Sequence, residues 1–167
     1  MTAAIRLRPA GPEDREFLLS VYASTRTDEV AILPWDDAQK AVFLRQQAEA
    51  QDADYRRRSP DAQFLVVEYD GQDVGRLYRA EVPGVDGRPV GLRMMDVALL
   101  PEWRSRGIGT RIINDLVAEA EARGLVLSLH VEHWNPVKRL YERLGFVVAG
   151  QNEVYALMER APARPAS

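Results

Sequence analysis

The chain has 167 residues, of which 46% are hydrophobic and 28% charged, with a formal net charge of −3 and no cysteine. This size and composition predict a single globular domain over residues 1–160, and they disfavour a general nucleic-acid or acidic-membrane surface. The lack of cysteine excludes disulfides, thiolate metal sites and a cysteine nucleophile. Because neither a signal-peptide core nor an apolar run of ~18 residues is found, a cytoplasmic location is predicted.

The amino-terminal half shows patterns typical of strands and helices in turn. A first strand is predicted at residues 5–8, and a helix at 12–24 begins with Pro12, which suits a first helical turn. A long helix is predicted at 38–58, capped by Asp36 or Asp37, after a segment that is either a loop or a broken helix. Two β-rich runs at 64–69 and 74–82, joined by Asp70-Gly71, predict a hairpin.

The carboxyl-terminal half predicts a strand-helix-strand crossover followed by a second hairpin. The strand at 90–100 leads to an amphipathic helix that begins near Gly107 and stops at Gly124. The next strand, at 125–131, is expected to pair in parallel with the strand before the helix. The remaining elements are a short helix to Leu144, a hairpin of 146–150 and 154–158, and a tail at 161–167 that is expected to be disordered.

A basic glycine loop precedes the amphipathic helix. Its residues are Arg104, Ser105, Arg106, Gly107, Ile108 and Gly109. The first N–H groups of a helix have no intrahelical partner and lie in positive potential, so a phosphate placed there finds donors and a favourable field. The alternative is a surface loop whose glycines form a turn and bind no ligand. The patterns of nucleoside-triphosphate and dinucleotide loops do not fit, because the lysine of the first and the third glycine of the second are missing.

Two motifs carry a resemblance that covers most of the chain. The loop Arg-Ser-Arg-Gly-Ile-Gly and the later Asn-Pro-Val-Lys-Arg-Leu-Tyr-Glu-Arg-Leu-Gly-Phe, residues 135–146, resemble the signatures of the GNAT superfamily of acyl-CoA-dependent N-acyltransferases. The resemblance implies an α/β (α+β) fold with a mixed, splayed central sheet of about six or seven strands, flanked by about four helices. It also implies acetyl-CoA as co-substrate, with its pantetheine in the cleft where the sheet splays.

The resemblance assigns the coenzyme contacts residue by residue. The strand before the loop would hydrogen-bond pantetheine, and the loop and helix start would hold the pyrophosphate through main-chain N–H groups. Asn135 would contact pantetheine, and Lys138 would reach the nucleotide phosphates. The strand residues are Val97, Ala98 and Leu99, and the loop set runs from Arg104 to Gly109 with Thr110 added.

For catalysis, the resemblance implies that Tyr141 is the general acid for the leaving thiolate. Family members often carry Glu or His on the inward face of the strand before the loop, where Arg93 and Met95 stand here, so the general base is unassigned. Asp96 is a candidate, because a carboxylate in an apolar strand is costly to bury without a role or a partner. It is either a base that acts through water, an ion-pair partner of an arginine such as Arg26, or an exposed edge residue.

The acceptor site is the least defined part of the sequence. Glu29 and Trp35 lie in the segment between the two amino-terminal helices, where an acid and an aromatic ring suit a cationic amine, although a solvated connection is an equal alternative. Glu132 ends the parallel strand and is a third candidate. The grouping of His130, Glu132 and His133 does not predict a metal site, because neighbouring strand positions project to different faces.

These inferences predict an N-acetyltransferase that transfers acetyl directly from acetyl-CoA to a primary amine of a small molecule or peptide, without metal, nucleic acid or membrane. A non-catalytic acyl-CoA-binding module with the same fold is the first alternative. A phosphate-ligand protein of other chemistry is the second. A homodimer is retained as an option, since the sequence does not determine the oligomeric state.

Overall fold

The computed structural model describes residues 4–163, which hold seven β-strands and five α-helices. In chain order they are β1 Ile5–Pro9, α1 Arg15–Thr25, α2 Thr27–Ala31, α3 Asp37–Arg58, β2 Gln63–Tyr69, β3 Gln72–Pro83, β4 Pro89–Leu99, α4 Ile108–Arg123, β5 Val126–Glu132, α5 Lys138–Arg143, β6 Val147–Gln151 and β7 Tyr155–Arg160. The strands are hydrogen-bonded in the order β1-β2-β3-β4-β5-β7-β6. Since β4 and β5 are parallel and the pairs β1–β2, β5–β7 and β6–β7 antiparallel, the sheet is mixed and the predicted fold class is confirmed.

The element boundaries agree closely with the sequence patterns. Asp36 caps α3 by accepting a hydrogen bond from the Gln39 N–H at 2.8 Å, which confirms one of the two predicted caps. The segment left open as a loop or a broken helix contains the short helix α2. Val30 of α2 is buried with 4% of its surface exposed, so tertiary packing rather than local propensity accounts for this helix.

The described residues fall into two compact units. The first comprises 4–78 and 96–109, and so holds β1, α1 to α3, β2, the start of β3, the end of β4 and the glycine loop. β1 runs antiparallel to β2, with Ile5 opposite Tyr69. The apolar stripe of α1 places Val21 and Tyr22 in the core of this unit.

The second unit comprises 79–95 and 110–163 and contains the strand-helix-strand crossover. Gly91 to Met94 of β4 pair in parallel with Val126 to Leu129 of β5, which confirms the predicted parallel connection. β4 itself continues to Leu99, so its pairing with β5 covers only part of the strand. The core of this unit includes alternate β5 residues and one face of α4, together with residues of β4 and β7. Among them are Leu127, Leu129, Val131, Ile112, Ile113, Leu116, Ala120, Leu92, Ala156 and Met158.

The last strand in the hydrogen-bonded order, β6, is irregular. Its register with β7 shifts between Val148 and Gly150, which marks a bulge at Ala149. Val147 and Val148 are both largely exposed on this strand.

In the part of the chain that the structure describes, no helix combines the length and hydropathy required to cross a bilayer. Of the expected disordered tail, residues 161–163 are described, and the Ala163 N–H donates to Glu121 at 2.7 Å. Residues 164–167 lie outside the described range.

Candidate active site

The glycine loop uses two residues in the left-handed region of backbone space. After β4, Pro101 to Trp103 form a single 3-10 turn, and then Ser105 has φ 59° and Gly107 has φ 81°. A left-handed conformation is uncommon for serine and is often found where a loop serves a ligand. No atom lies within 4 Å of a Cβ added at Gly107, so its φ, and not crowding, requires glycine there. The loop leads into α4 at Ile108, which anchors the helix start in the core with 1% exposure.

The two arginines of the loop have different roles. Arg104 Nε donates to the Leu99 carbonyl at 2.9 Å, and its terminal nitrogen reaches the Ser24 carbonyl and hydroxyl at 3.3 and 3.2 Å. Arg104 therefore ties the loop to the ends of β4 and α1. Arg106 is exposed and stacks over the Trp103 ring at 4.9 Å. Among the described residues neither arginine forms an ion pair with a carboxylate, so positive charge at the loop is uncompensated there.

The end of β4, where Val97, Ala98 and Leu99 lie, closely approaches β3 within the first unit. The Leu100 N–H donates to the Val74 carbonyl at 2.9 Å. A Cβ added to Gly75 would meet the Ala98 oxygen at 2.2 Å, so only glycine permits this approach. The need for glycine at position 75 could not be predicted from the sequence, because it arises from a strand more than twenty positions away.

Asp96 is held by an arginine other than the one expected. Its carboxylate accepts a short hydrogen bond from Arg76 of β3, whereas Arg26 pairs with Glu29 at 2.6 Å. Burial raises the pKa of the Asp96 carboxyl, and the neighbouring Arg76 lowers it, with burial the larger effect. The ion-pair alternative is therefore present in the structure, with Arg76 instead of Arg26 as the partner.

In the second unit, Arg93 and Met95 stand at the β4 positions where members of the resembled family often carry Glu or His. Arg93 Nε donates to the hydroxyl of the buried Ser128 at 2.7 Å. His130, two residues further along β5, has a lowered pKa because of burial and, secondarily, the charge of Arg93. A neutral imidazole is thus favoured near pH 7.

Tyr141 lies on α5 with 4% exposure, and its ring centroid is 5.6 Å from that of Phe146. Burial, with a smaller contribution from the charge of Glu132, raises the pKa of the phenol to about 12. Tyr141 is therefore protonated throughout the physiological range and available as a proton donor.

Glu132 and Asn135 form one hydrogen-bonded corner between β5 and α5. Asn135 Nδ2 donates to Glu132 at 3.0 Å, and Asn135 Oδ1 accepts from the Val137 N–H at 3.0 Å. Both polar groups of the Asn135 side chain therefore form hydrogen bonds within the protein, at the turn that leads into α5. Lys138 is the first residue of that helix, and Thr110 lies in the first turn of α4.

The acceptor candidates of the first unit are also engaged. Glu29 is paired with Arg26, and the Trp35 ring packs edge-on against Phe43 at a centroid distance of 5.3 Å. Trp35 keeps 39% of its surface exposed. The Glu29 side chain is 62% exposed and only one of its two carboxylate oxygens accepts from Arg26, so a cationic acceptor there would share this carboxylate with Arg26.

His130, Glu132 and His133, the grouping for which no metal site was predicted, lie on or just after β5. His133 Nε2 lies 2.7 Å from the Asn152 carbonyl oxygen. Within residues 4–163, no group of three or more His, Asp or Glu side chains is placed to hold a metal ion.

Comparison with known sequences gives a family match. The profile of the family described as "Acetyltransferase (GNAT) domain" matches residues 60–148, which include both motifs. A curated relative, mycothiol acetyltransferase of Thermobifida fusca, is 30% identical over 103 residues, which are 55% of this chain and 32% of the relative. The chain thus spans about a third of the length of that relative.

Solved structures share the fold. The PaiA N-acetyltransferase of Thermoplasma acidophilum, in complex with coenzyme A, has a TM-score of 0.66 at 19% identity over 95% of this chain and 99% of that one. A GNAT family acetyltransferase of Brucella melitensis, in complex with acetyl-CoA, has a TM-score of 0.56 at 19% identity over 98% and 93%. At 19% sequence identity, these similarities establish a shared fold and not a shared activity.

Proposed function

The chain belongs to the GNAT acetyltransferase family, and from that premise we propose that it is an N-acetyltransferase that moves an acetyl group from acetyl-CoA to a primary amine. The amine attacks the thioester directly, in a ternary complex. The observation that carries the proposal is the glycine loop. It joins left-handed residues at Ser105 and Gly107 to the amino end of α4, with an exposed Arg106 beside it.

The loop suits the pyrophosphate of the coenzyme. Main-chain N–H groups at the start of α4 supply directed donors, and Arg106 supplies charge that no described carboxylate neutralises. The nearest atom to a Cβ added at Gly109 would be in the Leu99 side chain, at 3.9 Å, so the region next to Gly109 is open to a ligand. In the proposal Val97, Ala98 and Leu99 bind pantetheine, Asn135 is a further pantetheine contact, and Lys138 contacts the nucleotide phosphates.

The chemistry proposed for the chain is mainly positioning and proton delivery. Acetyl-CoA supplies the activated acetyl group. Tyr141 protonates the departing sulfur, a role supported by its raised pKa. The substrate amine loses its proton to water or to Asp96, and Asp96 can accept it only by weakening its pair with Arg76. A cytoplasmic location and a small-molecule or peptide acceptor, with Glu29, Trp35 and Glu132 as its contacts, remain part of this proposal.

The test begins with the coenzyme. Acetyl-CoA is titrated calorimetrically against the full chain, with ADP as a competitor that lacks pantetheine. We expect acetyl-CoA to bind at micromolar concentration and ADP to bind at least tenfold more weakly. Equal affinity for the two would favour a phosphate-ligand protein of other chemistry. A thiol-release assay over a panel of amines then measures turnover.

One observation favours the non-catalytic module as a second candidate. Arg93 and Met95 stand where Glu or His is often found in the family, and Asp96 is held by Arg76. This candidate predicts the same acetyl-CoA binding without thiol release from any amine. Release with even one amine, above the rate of thioester hydrolysis, would eliminate it.

A further inference from the structure

A cavity of about 640 Å³ lies in the first unit beside the amino-terminal part of α1 and the second half of α3. Its walls include Pro12, Leu18, Ala48 and Tyr78. Arg104 of the glycine loop contacts Ser24, near the opposite end of α1, so the cavity is distinct from the loop. Cavities of 300–1,000 Å³ are typical of small-molecule sites.

The lining carries more cations than anions. Four arginines line the cavity, Arg15, Arg45, Arg56 and Arg76, against two carboxylates, Glu49 and Asp52. The apolar part of the wall comes from Leu18, Leu19, Ala48 and Tyr78. An excess of guanidinium groups over an apolar wall favours an anion that also has an apolar body.

Arg76 is the deepest of these arginines, with 5% of its surface exposed. One terminal nitrogen donates to Gln51 at 3.0 Å and to Asp96, and the guanidinium lies 4.9 Å from the Tyr78 ring centroid. Its Nε–H is buried and has no hydrogen-bond partner among the described residues. Buried donors are normally satisfied, so the Nε–H of Arg76 is an exception in this part of the core.

The arginines nearer the surface form solvent-exposed ion pairs, and the Arg56 guanidinium also lies 4.4 Å from the Phe64 ring centroid. Arg15 pairs with Glu49 at 2.7 Å and Arg56 with Asp52 at 3.0 Å. Arg45 pairs with Glu16, which does not line the cavity. Exposed pairs of this kind contribute little to stability, so a ligand carboxylate can replace one of their members at small cost.

We propose that this cavity binds a small organic monocarboxylate, with its carboxylate held by the arginines and its apolar body against Leu18, Leu19 and Tyr78. Arg76 is the deepest arginine of the lining, and Arg15, Arg45 and Arg56 supply the exposed donors that attract the ligand from solvent. This site is separate from the glycine loop and its test does not depend on the proposed activity, although Arg76 of its lining also pairs with Asp96, a candidate proton acceptor in the proposed function. Inorganic anions would satisfy the arginines but leave the apolar wall unused.

The experiment uses phenylacetate as the probe, titrated calorimetrically into the full chain without coenzyme. Phenylacetate is expected to bind, with phenylacetamide, its neutral analogue, and inorganic phosphate each at least tenfold weaker. No heat of binding up to 20 mM phenylacetate would overturn the proposal. If phenylacetamide bound as tightly as phenylacetate, the cavity would be an apolar pocket that does not recognise the carboxylate. If inorganic phosphate bound as tightly, it would be an anion site that does not use the apolar wall. Either result would contradict the proposal.

Matched variants locate the site. Arg15→Gln combined with Arg45→Gln should weaken phenylacetate at least fivefold, whereas Arg57→Gln, an exposed arginine of α3 outside the lining, should leave its affinity unchanged. Ala48→Phe fills the cavity without changing charge and should abolish binding. Unchanged binding in Ala48→Phe would place the probe elsewhere and refute the assignment.

Discussion

At the scale of single residues, Tyr141 is a buried phenol whose proton is held firmly. Its pKa of about 12 results mainly from burial, with a smaller effect from Glu132. A phenol of this kind is protonated when the reaction begins and can give its proton to the leaving sulfur, so its ionisation does not limit activity below about pH 10. A rise of activity with pH in the neutral range would therefore come from the amine or its base and not from Tyr141.

Tyr141→Phe should lower kcat about 10²-fold, because the ring packing against Phe146 is kept while the proton donor is lost. The KM for acetyl-CoA and the thermal midpoint should change little. The thiol-release assay and a thermal scan provide both measurements. A kcat equal to that of the parent chain would remove Tyr141 from the mechanism.

Gly107 and Gly87 offer a matched pair for the loop. Their φ values are 81° and 83°, and a Cβ added at either meets no atom within 4 Å. Alanine at either position should reduce stability by about 1–2 kcal/mol, because an L-residue is strained in that conformation. Only Gly107→Ala should also weaken acetyl-CoA, by about tenfold or more, in a calorimetric titration. Equal coenzyme affinity in the two variants would contradict the role of the loop.

At the scale of the elements, the close approach of β3 and β4 depends on Gly75. Gly75→Ala would place a Cβ at 2.2 Å from the Ala98 oxygen, so one strand must shift. We expect a loss of about 1–3 kcal/mol in urea unfolding together with weaker acetyl-CoA binding. Gly150→Ala in β6 is the control, since its Cβ would make an ordinary contact with Leu157 at 3.9 Å. A harmless Gly75→Ala would show that the strand end adjusts freely.

The elements themselves follow from local signals in the sequence. Pro12, the Asp70-Gly71 turn, Pro101 and Gly124 mark boundaries that agree with the structure to within a few residues. The partner of Asp96 was not predictable, because Arg76 lies 20 residues away and is brought to it only by the pairing of β3 with β4. The same applies to Gly75, whose requirement arises from the backbone of another strand. Long-range contacts of this kind leave no periodic pattern.

At the scale of the whole molecule, ion pairs within each unit make stability depend on acid pH. Arg8 and the Gly11 N–H lower the pKa of Asp14 from 3.8 to about 2 in the first unit. In the second, Arg79, followed by Arg123, lowers the pKa of Glu119 from 4.5 to about 2. Because both folded-state values lie below the unfolded ones, this stability is present at neutral pH and is lost as pH falls from about 4.5 to about 2.

Urea unfolding at pH 7, 4 and 2.5 measures this dependence. Asp14→Asn should cost about 1–2 kcal/mol at pH 7 and flatten the decline between pH 4 and 2.5, since the linkage of this carboxyl is removed. Glu13→Gln, at an exposed neighbouring carboxylate, should keep the slope of the parent chain. An unchanged slope in Asp14→Asn would assign the acid sensitivity to other groups.

The bulge of β6 has a consequence for how the protein behaves in concentrated solution. A strand with one unpaired side is a template for pairing with another chain, and exposed Val147 and Val148 make this template apolar. The shift at Ala149 breaks the repeat of donors and acceptors and increases the local twist, so an incoming strand finds only a short matching stretch. The bulge therefore acts against fibrous self-association. Deleting Ala149 would make β6 a regular edge strand, to which other copies of the chain could pair.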